Sequence, residues 1–154
     1  MKEDFFNMDK EKIKKYWFDF LKDKDPLEYL LGDITLFGVA PEELSQLVFD
    51  GTKTATTSSY DLYTPNEYLP QVGNYNIILD GNESPICITK TLVAEVIPFN
   101  QVSAEHAYHE GEGDRSLEYW RDVHKKFFKQ EYKDAGRKFS KDMPCLCEVF
   151  ERVY

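Results

Sequence analysis

At 154 residues the chain is the size of one compact domain, which usually runs to ~100–150 residues. Hydrophobic residues make up 42% of it, with 11 Phe and 10 Tyr, enough for a sizeable core and too much for a disordered chain. A formal net charge of −9 argues against a protein that coats duplex nucleic acid or lies on anionic lipid, though not against a small nucleotide-like ligand.

In chain order, Ile13, Tyr16, Trp17, Phe20 and Leu21 recur at helical spacing after Asp9, a good N-cap type, so residues 10–22 read as an amphipathic helix. PEELSQLVFDG places Pro41 at a first-turn position, Glu42 and Glu43 beside the positive helix end, and Gly51 as a stop. TATTSS then reads as a strand and is followed by a Tyr-rich loop with Pro65 and Pro70. NYNIILDGNESPICITKTLVAEVI reads as a hairpin turning at Asp80-Gly81-Asn82. A short helix follows and is broken by Gly111 and Gly113. Leu117, Trp120, His124, Phe127 and Phe128 mark a longer helix to about Tyr132, and CLCEVFERVY closes as a strand. The fold class expected is α+β: a small, mainly antiparallel or mixed β-barrel with helices packed outside.

Charge is distributed unevenly. Between Asp25 and Asp114 the only basic residues are Lys53 and Lys90, whereas residues 115–141 carry nine Lys or Arg against four acids. That basic flank is either a solvated helix face or a contact for a phosphate-bearing ligand. Three cysteines, Cys87, Cys145 and Cys147, are an odd number in a chain that needs no disulfide staples, which fits a reducing compartment. With no signal-like h-region and no apolar run of bilayer-spanning length, the expected location is cytoplasmic and no membrane partner is expected.

Two segments could carry chemistry. In GTKTATTS (51–58) a lone cation sits two residues past a helix-ending Gly, among hydroxyls. If TKTATTS is a strand, Lys53 and Thr57 share one face while Thr54, Thr56 and Ser58 share the other; a turn at its start could instead bring Lys53 and Thr56 together. The segment is not a P-loop, since GxxxxGK[ST] is absent. In HAYHEGEGDR (106–115), His106, His109 and Glu110 stand at i, i+3 and i+4 and could share one helical face. Neither HExxH order nor an EF-hand loop is present, so no metal and no cofactor are expected. The bland reading is a helix end followed by an acidic cap for the next helix. Cys145 and Cys147 read as buried thiols, Glu95 as an outward carboxylate on a strand, and Trp17, Trp120, Phe127 and Phe128 as core rather than a base-stacking platform.

GTKTATTS, VGNYNIILDG, ICITKTLVAEVIPF, HAYHEGEGDRSLEYWRDVHKKFF and MPCLCEVF together resemble the ASCH domain of the PUA-like superfamily. The likeness covers about residues 33–154; residues 1–32 are similar to a helical extension packed on the domain in the longer bacterial branch. The resemblance implies a PUA-like barrel around a cleft that meets RNA or a nucleoside. It further implies amide hydrolysis of the N4-acetylcytidine type, with the family's motif lysine on Lys53, its threonine on Thr56 and its catalytic glutamate on Glu110. Thr56 would attack the acyl carbon with help from Lys53, and Glu110 would activate water. Thr54, Ser58, Arg115, Trp120, Arg121 and His124 are the expected substrate or RNA contacts. Many ASCH motifs carry arginine where this chain has Ser58. The alternative is an RNA-binding module, with or without ribonuclease activity, in which Arg121, Lys125, Lys126 and Lys129 meet phosphates.

Overall fold

The computed structural model describes residues 9–154; the first part of the N-terminal extension, residues 1–8, lies outside the described residues. Helix α1 (Lys10–Leu21) starts where expected, with the Asp9 side chain accepting from the Lys12 backbone N–H. Strand β1 (Leu31–Thr35) follows. Helix α2 (Pro41–Phe49) has Pro41 in its first turn beside Glu42 and Glu43, and the chain leaves it through Gly51 at φ 81°. Next come β2 (Ala55–Ser59), β3 (Tyr75–Leu79) and β4 (Pro85–Pro98), the last two forming the predicted hairpin. Helices α3 (Ala104–Glu110) and α4 (Leu117–Asp134) lead to β5 (Pro144–Arg152).

The five strands make one mixed sheet in the order β1-β3-β4-β5-β2, antiparallel throughout except for the parallel β1–β3 pair. The α+β class is as expected, but the sheet is open and does not close into a barrel. Closure needs the two edge strands to pair in a continuous register. Here β1 and β2 are five residues each, and the β1 register shifts between Leu31 and Ile34. The parallel strand β1 is the element that the sequence pattern did not suggest.

Alternation divides the sheet into two faces. On one, α1 lays Ile13 and Phe20 on Tyr75, Ile77, Leu79 and Ile88, while Trp120, Phe128 and Tyr132 of α4 cover Cys145 and Cys147. Each fully buried aliphatic or aromatic side chain here stabilises the fold by roughly 1.5–3 kcal/mol. The opposite face packs Val48 of α2 on Ile78, Cys87 and Phe150, then becomes polar. Asn76 there donates to Thr91 Oγ1 at 3.1 Å. Farther along the same face stand Glu148, Thr56 and Ser58, with Thr56 directly opposite Glu148 in the β2–β5 ladder.

A buried carboxylate hub and the polar face of the sheet

Lys53 lies between α2 and β2. Its backbone N–H, like that of Thr52, donates to Leu47 O at 3.0 Å, so the end of α2 fixes the approach to the strand. Glu110 ends α3, whose N-cap Ser103 accepts from the His106 backbone N–H. Two devices press this helix end against residues 52–54. Thr54 N–H donates to His109 O at 2.7 Å, and Gly111 adopts φ 75° so close to Thr52 that a Cβ would sit 2.6 Å from its carbonyl oxygen. Only glycine meets both conditions.

The result is a buried hub. Lys53 and Glu110 are each 2% exposed, with Nζ 3.5 Å from Glu110 Oε1. Nζ also donates to Ala55 O at 2.8 Å and to Glu112 Oε2 at 3.0 Å, with Glu110 O at 3.4 Å. Every neighbour of Nζ is an acceptor, which is the environment of an ammonium. Glu110 Oε2 accepts from Thr57 Oγ1 at 2.8 Å and from the Trp120 indole N–H. Since the Thr57 proton is spent on the carboxylate, His106 Nε2, 2.8 Å from Thr57 Oγ1, is the donor in that pair. His124 stacks on Trp120, donates from Nδ1 to Trp120 O at 2.9 Å, and sets Nε2 3.4 Å from Glu110 Oε1. Burial acts to raise the Glu110 carboxyl, but hydrogen bonds from His106 and His124, with the charges of Lys53 and His124, hold it well below the usual carboxylate range.

The structure therefore brings Lys53 and Glu110 together but pairs them with Thr57 rather than Thr56. The physical reason is the strand period of two. β2 begins at Ala55, so Thr57 faces the helices while Thr56 and Ser58 face the polar side. Lys53 and Thr57 both reach Glu110, the grouping that strand alternation offered, and Thr56 stands on the other face of β2.

The expected contact residues separate likewise. Thr54 Oγ1 lies 3.5 Å from His109 Nδ1. Ser58 Oγ pairs with Tyr63 OH at 2.9 Å. Arg115 packs its guanidinium 3.7 Å from the Tyr108 ring and donates to Tyr108 O, pinning α3. Trp120 is 2% exposed and, with His124, supports Glu110. Arg121 spends its donors on the carbonyls of Phe99, Asn100 and Val102. Glu95 is exposed and Cys145 and Cys147 are buried free thiols, as expected; Cys87 is a third buried free thiol. Among the described residues, no group of three or more His, Cys, Asp or Glu is arranged to hold a metal ion, and no helix is long and apolar enough to cross a membrane.

Sequence reasoning met Glu112 only as one of the alternating carboxylates Glu110, Glu112 and Asp114, and did not single out Asp33 or Glu148. Asp33 and Glu148 stand close enough across the polar face that Asp33 raises the Glu148 carboxyl. Burial is the larger cause, and together they push it up to about 7 against the lowering effect of Lys53.

A mixed open sheet flanked by helices, with a lysine–glutamate pair fixed between α3 and the lead into β2, defines a PUA-like α+β domain. The chain belongs to the ASCH domain family, whose model matches residues 33–154. It is similar to the crystal structure of an ASCH domain from Lactobacillus crispatus JV V101, at 29% identity and TM-score 0.88, covering 96% of this chain and 97% of that one. Protein EF3133 from Enterococcus faecalis V583 is 38% identical with TM-score 0.80, covering 93% of each chain. Hypothetical protein PH0355, at 18% identity and TM-score 0.50 over 79% of this chain and 97% of that one, shares the fold alone. No curated protein matches the chain.

Proposed function

We propose that this domain hydrolyses a small amide on a nucleoside-like molecule of the N4-acetylcytidine type, with Thr56 meeting the acyl group on the polar face and Lys53, anchored by Glu110 ahead of β2, serving that face from its edge: Nζ lies 5.8 Å from the ring of Phe37, which packs on the Val48–Phe150 side, and its charge acts on Glu148. The observation that carries this reading is one buried ammonium, fixed 3.5 Å from the Glu110 carboxylate three residues ahead of the Thr56 hydroxyl. Four acceptors compete for three protons on Nζ, and Glu112, whose side chain is 22% exposed, is the partner that an incoming carbonyl oxygen can displace. Lys53 then stabilises the developing oxyanion. Glu110 is enclosed and its oxygens are already engaged, so its part is positioning rather than activating water. Asp33 and Glu148 disfavour a phosphate on the polar face, which points to an uncharged nucleoside rather than a nucleotide.

Acetate release from N4-acetylcytidine tests the reading. Wild type should turn over, and Lys53→Ala and Thr56→Ala should each lose at least about 100-fold. Equal background rates for all three proteins remove it. The second reading is an RNA-binding module and rests on Lys125, Lys126 and Lys129 of α4, of which Lys126 and Lys129 are exposed. It requires affinity for short single-stranded RNA that falls steeply with added salt, whereas turnover of an uncharged nucleoside should barely respond to salt.

A further inference from the structure

Amide hydrolysis by Thr56 needs a group to take the hydroxyl proton, and neither partner anticipated from the sequence is placed to do so. Glu110 lies on the other face of β2, hydrogen-bonded to Thr57. Lys53 is surrounded by acceptors and presents protons rather than a lone pair. Glu148, in contrast, stands directly opposite Thr56 in the antiparallel β2–β5 ladder. Residues so opposed project to the same side with Cβ atoms about 4.5–5.5 Å apart. The Glu148 carboxyl is partly buried and makes no hydrogen bond to the described residues, so its oxygens are uncommitted.

We propose that Glu148 is the general acid–base residue of this site, taking the Thr56 proton and returning it to the leaving nitrogen. This inference rests on the amide-hydrolysis reading above. The groups around Glu148 are Asp33 from β1, Lys53 ahead of β2, Tyr63 from the turn after β2 and Cys147 on its own strand; its β4 neighbour, Ala94, carries no charge. Burial and Asp33 outweigh Lys53 and leave the carboxyl at about 7, which suits a base working near neutral pH.

The chemistry balances with water as the only co-reactant. Thr56 Oγ1 bonds to the acyl carbon as its proton passes to Glu148, and the carbonyl electron pair moves onto oxygen beside Lys53. Collapse re-forms the carbonyl and breaks the C–N bond, with the Glu148 proton going to nitrogen. Water then adds to the acyl-threonine, giving its proton to Glu148. Collapse expels Thr56, which recovers that proton and leaves the carboxylic acid.

The test is the pH dependence of acetate release from N4-acetylcytidine for wild type, Glu148→Gln and Asp33→Asn. Wild-type kcat should fall on the acid side with a midpoint near 7. Glu148→Gln should lose about 100-fold or more in kcat with little change in KM, and should lose the acid limb. Asp33→Asn removes a neighbouring negative charge, so it should keep turnover and move the acid limb to lower pH; this variant carries the test if Glu148→Gln does not fold. A folded Glu148→Gln within about threefold of wild-type kcat, or an acid limb that Asp33→Asn does not move, overturns the role of Glu148 and leaves the amide-hydrolysis reading standing. A wild-type protein without turnover overturns both.

Discussion

Replacing Glu110 should be the most damaging single change on the helix side of β2. Its carboxylate is 2% exposed, accepts from Thr57 and Trp120, and lies within 3.5 Å of nitrogens on Lys53, His106 and His124. In Glu110→Ala the buried Lys53 ammonium keeps one nearby carboxylate, Glu112 at 3.0 Å. Removing one partner of a buried pair costs about 3–5 kcal/mol. The stranded Trp120 N–H adds about 1–3 kcal/mol. Together these are a large part of the ~5–15 kcal/mol that a domain has in total. Glu110→Gln keeps the volume and an acceptor for Trp120, so it should lose less. Urea unfolding followed by far-UV circular dichroism measures the order wild type, Gln, Ala. A Glu110→Ala protein within about 1 kcal/mol of wild type would refute the anchor role. Acid should narrow the gap between wild type and Gln. A carboxyl held below its ordinary 4.5 stabilises the fold above that pH, and the contribution disappears as pH falls through the depressed native value.

Gly111→Ala should lose at least about 1–2 kcal/mol in the same assay, because an L-residue is strained at φ 75° and the new Cβ meets Thr52 O; a neutral substitution would show that α3 can retreat from β2. Burial pushes the Cys145 and Cys147 thiols up to about 12 and Cys87 up to about 11, so all three should resist a thiol-reactive disulfide reagent at mildly alkaline pH until urea is added. Rapid native labelling would contradict their enclosure. Glu148 has the opposite linkage to Glu110. Its native value of about 7 lies above 4.5, so wild-type stability carries the full contribution of the protonated acid below 4.5 and loses it as pH rises through about 7. Glu148→Gln should therefore be more stable than wild type in alkaline buffer, by at most about 3 kcal/mol, and equal to it near pH 4; no pH-dependent gap would mean that Glu148 is well solvated.

Much of the fold was legible because its signals are local. Asp9 before a 3.6-period stripe, Pro41 and Gly51 around α2, and the turn at 80–82 each specify an element within a few residues. Strand β1 was not legible, since LGDIT carries Gly and Asp and owes its extended form to pairing with Tyr75–Leu79 more than forty residues later. The site divides in the same way. His106 and Glu110 share a helical face as their spacing implied, while His109 turns outward to Thr54 and Glu105. Which threonine meets Glu110 depended on where β2 starts, a matter of one residue. Glu148 gave no local sign, because its significance comes from Thr56 opposite it on β2 and from the charge of Asp33 on β1, both distant in sequence.

Thr56 and Thr57 are chemically identical neighbours whose hydroxyls emerge on opposite sides of one ribbon. Deleting Ala55, or inserting one residue there, would exchange their surroundings while leaving composition and hydropathy almost untouched. The tether holding residues 52–54 to α2 and α3 thus acts as a frame marker, counting off which hydroxyl is delivered to which compartment.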